Sequence, residues 1–188
     1  MKRSQRAALL TLLNREMLKR GSWCGETHIQ KATFFLQDLL GVEANFEFIL
    51  YRHGPFSFEL RDELSSMQAD ELLALTVRRE GYGPTYVPTS FSDTYLERFP
   101  KTTARYLKQI EFVSDELGEK GVAELERLAT ALFVANREGI RDVEQRAERL
   151  VELKPHISMT DALSASDQVD RLIRKSRPFR ISEESMAS

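Results

Sequence analysis

Apolar residues recur along this chain with two periods, and the switch from one to the other divides it into elements. Ala7, Leu10, Leu13 and Met17 follow near-helical spacing from a candidate cap at Ser4 to Gly21. A second helix is predicted from Thr27, whose spacing to Gln30 matches a capping box. Ile29, Ala32, Leu36, Leu39 and Leu40 share one face of it, and Gly41 suits the position beyond its end. Phe34 and Phe35 widen its apolar surface, which predicts a place at the centre of the core.

Phe46 to Tyr51, FEFILY, is rich in aromatic and β-branched residues and reads as a strand, stopped by Gly54-Pro55. Ser57 is suited to cap a third helix, with Glu59 near its positive end and Leu60, Leu64 and Met67 as its stripe. Leu73, Leu75 and Val77 then alternate with polar or small residues. Gly81-Tyr82-Gly83-Pro84 is a turn signal, and Thr85-Tyr86-Val87 can return as the partner strand. Pro88 confines that return strand to an edge. Residues 89–100 read as a connector with one helical turn. Helical stripes follow at Tyr106, Ile110, Val113 and Leu117, then at Leu125, Leu128, Ala129 and Leu132. Another runs through Ile140, Val143, Ala147 and Leu150 to the Lys154-Pro155 stop, and Thr160 is a candidate cap for the last.

The resulting fold class is mainly α with a small β-hairpin or sheet (α+β). Helices followed by a hairpin predict a winged-helix-like N-terminal core over residues 1–88, with Gly81–Pro84 as the wing tip. The interval from Gly41 to Phe56 is longer than the tight turn of a plain helix-turn-helix. Residues 101–177 are expected to form a helical half packed on the core as one compact unit, and residues 178–188 a flexible tail.

Composition narrows the function classes. The chain has 188 residues and is 41% hydrophobic and 30% charged, enough for an ordinary globular core. Its basic start followed by apolar residues imitates a signal peptide, but Asn14, Arg15 and Glu16 interrupt the apolar run, so the expected location is the cytoplasm. A net charge of -2 lends no global attraction to nucleic acid. The single cysteine, Cys24, excludes an internal disulfide and a multi-cysteine zinc site. No metal or cofactor is expected.

Several short motifs resemble a known family. Ile29-Gln30-Lys31 with Phe34-Phe35-Leu36, Tyr51 through Gly54-Pro55-Phe56-Ser57, Leu125-Glu126-Arg127-Leu128-Ala129-Thr130 and Leu153-Lys154-Pro155-His156 together resemble the YwgA-like proteins of bacteria and archaea. These in turn look related to the Panacea antitoxin domain. The resemblance implies a small helical domain with a hairpin, no established enzymatic activity, and a role in binding a partner protein such as a toxin or defence component.

Tyr51-Arg52-His53-Gly54-Pro55 is the most unusual local chemistry. Backbone needs account for Gly54, Pro55 and Ser57. Arg52 and His53 are not required by them, and can instead offer a cation and a switchable donor to an acidic partner or phosphate. Arg78, Arg79 and Tyr82 at the wing tip are the other candidate binding residues, since tyrosine is a common interface anchor. Three functions are carried forward. The first is a non-enzymatic partner-binding or regulatory module. The second is a winged-helix DNA-binding transcriptional regulator. The third is a small nuclease or hydrolase built on Cys24, His28 and His53, for which no ligand or nucleophile motif is present. The acidic residues of the third helix, Glu59, Asp62 and Glu63, favour the first over the second.

Overall fold

The computed structural model describes residues 1–181. Eight α-helices and two antiparallel strand pairs are formed among them: α1 (Arg3–Lys19), α2 (Glu26–Asp38), β1 (Ile49–Tyr51), β2 (Gly54–Phe56), α3 (Phe58–Ala69), β3 (Leu73–Thr76), β4 (Thr85–Pro88), α4 (Phe91–Glu97), α5 (Pro100–Leu117), α6 (Val122–Arg137), α7 (Val143–Leu153) and α8 (Met159–Ser176). The α+β class is therefore as read from the sequence.

Helix α1 is buried on nearly every side from Ala7 to Asn14, as a helix surrounded by others must be. Two of its interior polar groups donate locally or to the hairpin: Thr11 to the Ala7 carbonyl (2.8 Å) and Asn14 Nδ2 to the Tyr86 carbonyl (3.1 Å), while Asn14 Oδ1 has no partner. Ser4 is not the cap. The cap is Lys2, two residues earlier, whose N–H donates to Gln5 Oε1 at 3.0 Å. Helix α2 is buried continuously from His28 to Leu36, in line with its predicted central place. Gly41, at φ +74°, ends it, with the Val42 N–H bonded to the Leu36 carbonyl (3.0 Å).

The Thr27–Gln30 capping box does not form. Gly25 is the cap residue and Thr27 lies inside the helix. Gln30 instead reaches across the core. Its Nε2 donates to the Ser57 carbonyl (2.8 Å) and its Oε1 accepts from the Ser57 N–H (2.9 Å). Ser57 keeps its predicted task, accepting the Leu60 N–H at Oγ (3.2 Å), and Leu60, Leu64 and Met67 are buried.

Between α2 and α3 the chain makes a hairpin rather than a single stopped strand. Ile49 pairs with Phe56, Leu50 with Pro55 and Tyr51 with Gly54, so Arg52 and His53 form the two-residue tip. Gly54-Pro55 therefore begins the return strand instead of terminating the outgoing one. The second hairpin, β3–β4, follows α3 as predicted, with Leu73 opposite Pro88 and Thr76 opposite Thr85. Leu73, Thr85 and Tyr86 are buried, whereas Leu75 and Val77 are exposed. The connector is more ordered than its sequence suggests. It holds the two-turn α4, docked by Leu96 and by a Ser92 Oγ–Leu72 carbonyl hydrogen bond of 2.6 Å.

The C-terminal helices share the core of the N-terminal half. One apolar cluster runs from Ala7 to Leu172, with α5 packed on α1 and α2, and α6 on α2 and β2. Helices α7 and α8 form a hairpin against α6 and are capped by Asp142 and Ser158, so Thr160 lies inside α8 rather than at its cap. Of the stretch expected to be a flexible tail, residues 178–181 are docked. Phe179 packs on Phe112 with ring centroids 4.9 Å apart, and the Ile181 N–H bonds to the Leu40 carbonyl (2.9 Å). Residues 182–188 lie outside the described residues. No helix among the described residues is long and apolar enough to cross a membrane.

Candidate functional site

The tip of the β1–β2 hairpin is held from behind by two lysines and a glutamate. Lys31, 1% exposed on α2, donates to the Pro55 carbonyl (2.9 Å). Lys154, just past α7, donates to the carbonyls of Tyr51 and Arg52. The Glu126 carboxylate on α6 is buried between them. Its Oε2 lies 3.4 Å from His53 Nδ1, and its Oε1 lies 3.3 Å from His156 Nε2. The His156 contact has the distance of an ion pair without hydrogen-bond alignment. Burial pushes the Lys31 ammonium down to about 8, partly opposed by the Glu126 charge, and burial likewise lowers Lys154.

Gly54 is the point of closest approach. Its φ is +81°, and a Cβ there would lie 2.9 Å from Thr130 Oγ1 and 3.3 Å from the Glu126 carbonyl. Glycine is thus required twice over, by conformation and by space. The four motifs that carry the YwgA-like resemblance meet here. Lys31 comes from the first, the hairpin from the second, Glu126 and Thr130 from the third, and Lys154 and His156 from the fourth. Lys31, Glu126, Lys154 and His156 were not among the predicted site residues. Their signal was membership of those motifs, since residues up to 103 positions apart cannot be joined by spacing.

The locked backbone aims side chains outward. Tyr51, Arg52 and His53 are all exposed, whereas Gly54 and Pro55 are buried. Tyr51, Phe56 and Phe58 touch one another, with ring centroids 5.1–5.7 Å apart. The Arg61 guanidinium lies 5.0 Å over the Phe58 ring. Ile49 extends the same face, because alternate residues of a strand and their cross-strand partners point one way. Tyr51, Phe58 and Ile49 are 44%, 41% and 43% exposed, so large apolar groups cluster in water here.

The wing-tip candidates form a separate group. Arg78, Arg79 and Tyr82 are exposed, but Tyr82 folds back on Trp23 (centroids 5.4 Å) and is covered by the Arg79 guanidinium at 4.9 Å. Among the described residues, no hydrogen bond, ion pair or ring contact links this group to the β1–β2 tip. The nucleophile constellation does not assemble either. The buried Cys24 thiol lies 3.7 Å from the Asn14 carbonyl, burial pushes it up to about 11, and His53 is engaged by Glu126. Among the described residues no group of three or more His, Cys, Asp or Glu side chains is placed to hold a metal ion.

Several surface cations outside these groups are paired with carboxylates. Arg3 pairs with Glu63 and Asp70, Arg6 with Glu63, Arg171 with Asp167, and Lys175 with Glu116. Compared with known proteins, the chain matches no family model and no curated sequence.

Proposed function

We propose that the protein is a non-enzymatic partner-binding module that recognises another protein through the outer face of the β1–β2 hairpin and the first turns of α3. The observation that carries this reading is the aromatic cluster of Tyr51, Phe56 and Phe58 with Arg61, exposed at Tyr51 and Phe58, on a hairpin held by Lys31, Lys154 and Glu126. Aromatic residues and arginine are the types enriched at interface hot spots, and a rigid presenting element lowers the entropy lost on docking. An antitoxin-like or defence-associated role is what the YwgA-like and Panacea resemblance adds to this surface. Cytoplasmic action, with a toxin or defence component as partner, belongs to the same reading.

DNA binding through a winged-helix-like core is less well supported. The interval between α2 and α3 is occupied by a hairpin, and α3 exposes Glu59 and Asp62, with Arg61 paired to Asp62. Phosphates need uncompensated cations on the docking face.

The test is affinity capture of the tagged full-length protein from its native cell, in nuclease-treated and untreated halves. Wild type is compared with Tyr51→Ser/Phe58→Ser, with Arg52→Ala/His53→Ala, and with Val77→Ser on the other hairpin. A stoichiometric protein that survives nuclease, is lost with the first variant, is weakened with the second and is kept by the third is expected. Retention of that protein by Tyr51→Ser/Phe58→Ser refutes the surface. Recovery of nucleic acid alone, falling steeply with salt, transfers the function to DNA binding.

A further inference from the structure

A second feature lies away from the hairpin lock. Between the start of α2, the start of α6 and the tip of β3–β4 is an open cavity of about 550 Å³, within the usual range for small-molecule sites. Its walls are mainly apolar and aromatic: Trp23, Tyr82, Tyr86 and Val122. The Trp23 ring is fixed by donation from Nε1 to the Gly83 carbonyl (2.9 Å) and by its contact with Tyr82.

Two side chains lining this cavity have buried polar atoms with no partner. His28 is 5% exposed, and its Nδ1 makes no hydrogen bond; Oε1 of Glu26 is likewise unpaired. An unpaired buried polar atom is costly, and a native structure that keeps two beside one cavity points to a group that pairs with them. Burial lowers the His28 pKa, which favours the neutral imidazole at the cavity wall. Helices α2 and α6 both begin here at glycines, Gly25 and Gly121, and neither has a side-chain cap. Their positive ends lie at the same cavity as the Glu26 carboxylate and offset its charge. The cavity is therefore not a simple cation trap, despite its aromatic wall. What it offers is a flat hydrophobic surface, a carboxylate acceptor and an imidazole nitrogen.

We propose that this cavity binds a planar, uncharged nitrogen heterocycle of purine size, lying against Trp23, Tyr82 and Tyr86 and hydrogen-bonded at its edge by Glu26 and His28. A ring edge that carries an N–H donor satisfies the carboxylate, and an adjacent donor or acceptor satisfies either tautomer of His28. The aromatic wall contributes stacking.

Trp23 is the sole tryptophan, so its emission reports on this cavity directly. The full-length protein is titrated with guanosine and with adenosine, using choline as a cationic control, and binding is confirmed by calorimetry. Saturable change in Trp23 emission by a purine nucleoside is expected, with a Kd below about 1 mM. Glu26→Gln should weaken it by about tenfold, because a neutral amide oxygen replaces a charged acceptor, and His28→Leu by about tenfold, the size of one lost hydrogen bond. Glu26→Gln, at a half-buried position, keeps the test valid if His28→Leu fails to fold. No response to either nucleoside up to about 5 mM in folded protein overturns the proposal. Saturation by choline alone overturns it in favour of a cation cage. Unchanged purine affinity in folded Glu26→Gln overturns the assigned contacts.

Discussion

Replacing Gly54 with alanine tests the hairpin lock at its tightest point. Two costs are expected. The first is conformational: at φ +81° an L-residue pays roughly 1–2 kcal/mol for the left-handed region. The second is steric, because the new Cβ would lie 2.9 Å from Thr130 Oγ1 and 3.3 Å from the Glu126 carbonyl. The helix backbone of α6 cannot yield cheaply, and overpacking of this kind costs about 1–3 kcal/mol. The sum is about 2–5 kcal/mol, or a fall in Tm of about 4–20 °C for a chain of this size. Gly21 supplies the internal control. Its φ is +82°, but nothing lies within 4 Å of its would-be Cβ, so Gly21→Ala carries only the conformational part. Both substitutions also stiffen the unfolded chain alike, which cancels in the comparison. Adding Thr130→Ala to Gly54→Ala should recover about 1–2 kcal/mol as a coupling energy, because it removes the nearest atom. Urea unfolding followed by circular dichroism measures wild type, the single variants at Gly54, Gly21 and Thr130, and the double variant. Equal losses for Gly54→Ala and Gly21→Ala, together with no coupling to Thr130, would refute the close-approach argument.

Three further outcomes are expected. Because the folded pKa of Lys31 is about 8 against an ordinary 10.5, the unfolded chain holds a proton there that the folded chain lacks between those values. The Lys31 share of stability therefore rises with pH from about 8 to 10.5, by at most about 3 kcal/mol, and is flat below about pH 8. Wild type should gain on Lys31→Met across that window in urea titrations, and a pH-independent difference argues against a depressed pKa. Gln30→Leu should cost about 2–4 kcal/mol, since it strands the Ser57 N–H and carbonyl in the core, whereas Thr27→Ala should cost well under 1 kcal/mol; the reverse order in thermal melts would restore the capping box. Cys24 should resist a thiol reagent at pH 8 until denaturant is added, and rapid native labelling would reopen the nucleophile reading.

The β1–β2 region illustrates where sequence reasoning stops. FEFILY and Gly-Pro signal a strand and a bend, but a strand three residues long on each side of an Arg-His tip is invisible as a hairpin, because Pro55 reads locally as a stop. Gln30 shows the same limit. Its spacing from Thr27 satisfies a local rule, yet the core placed a better partner, Ser57, 27 residues away. Tyr51, Arg52 and His53 were legible as candidates because no backbone requirement explained them. Phe58 and Arg61 carry no comparable signal, because both fall within the span of the third helix.

By itself the sequence determined the α+β class, the helices with regular stripes, the Ser57 cap, the β3–β4 hairpin and the need for glycine at position 54. Each of these depends on interactions within a few residues, where periodicity and conformational preference suffice. Only the tertiary structure decided that Lys31, Glu126, Thr130, Lys154 and His156 converge behind one hairpin, that Tyr51, Phe56 and Phe58 form one aromatic cluster, and that Trp23, His28 and Tyr82 border one cavity. Those groupings are set by how α2, α6 and the chain after α7 pack together. That packing is a property of the whole apolar core rather than of any local segment.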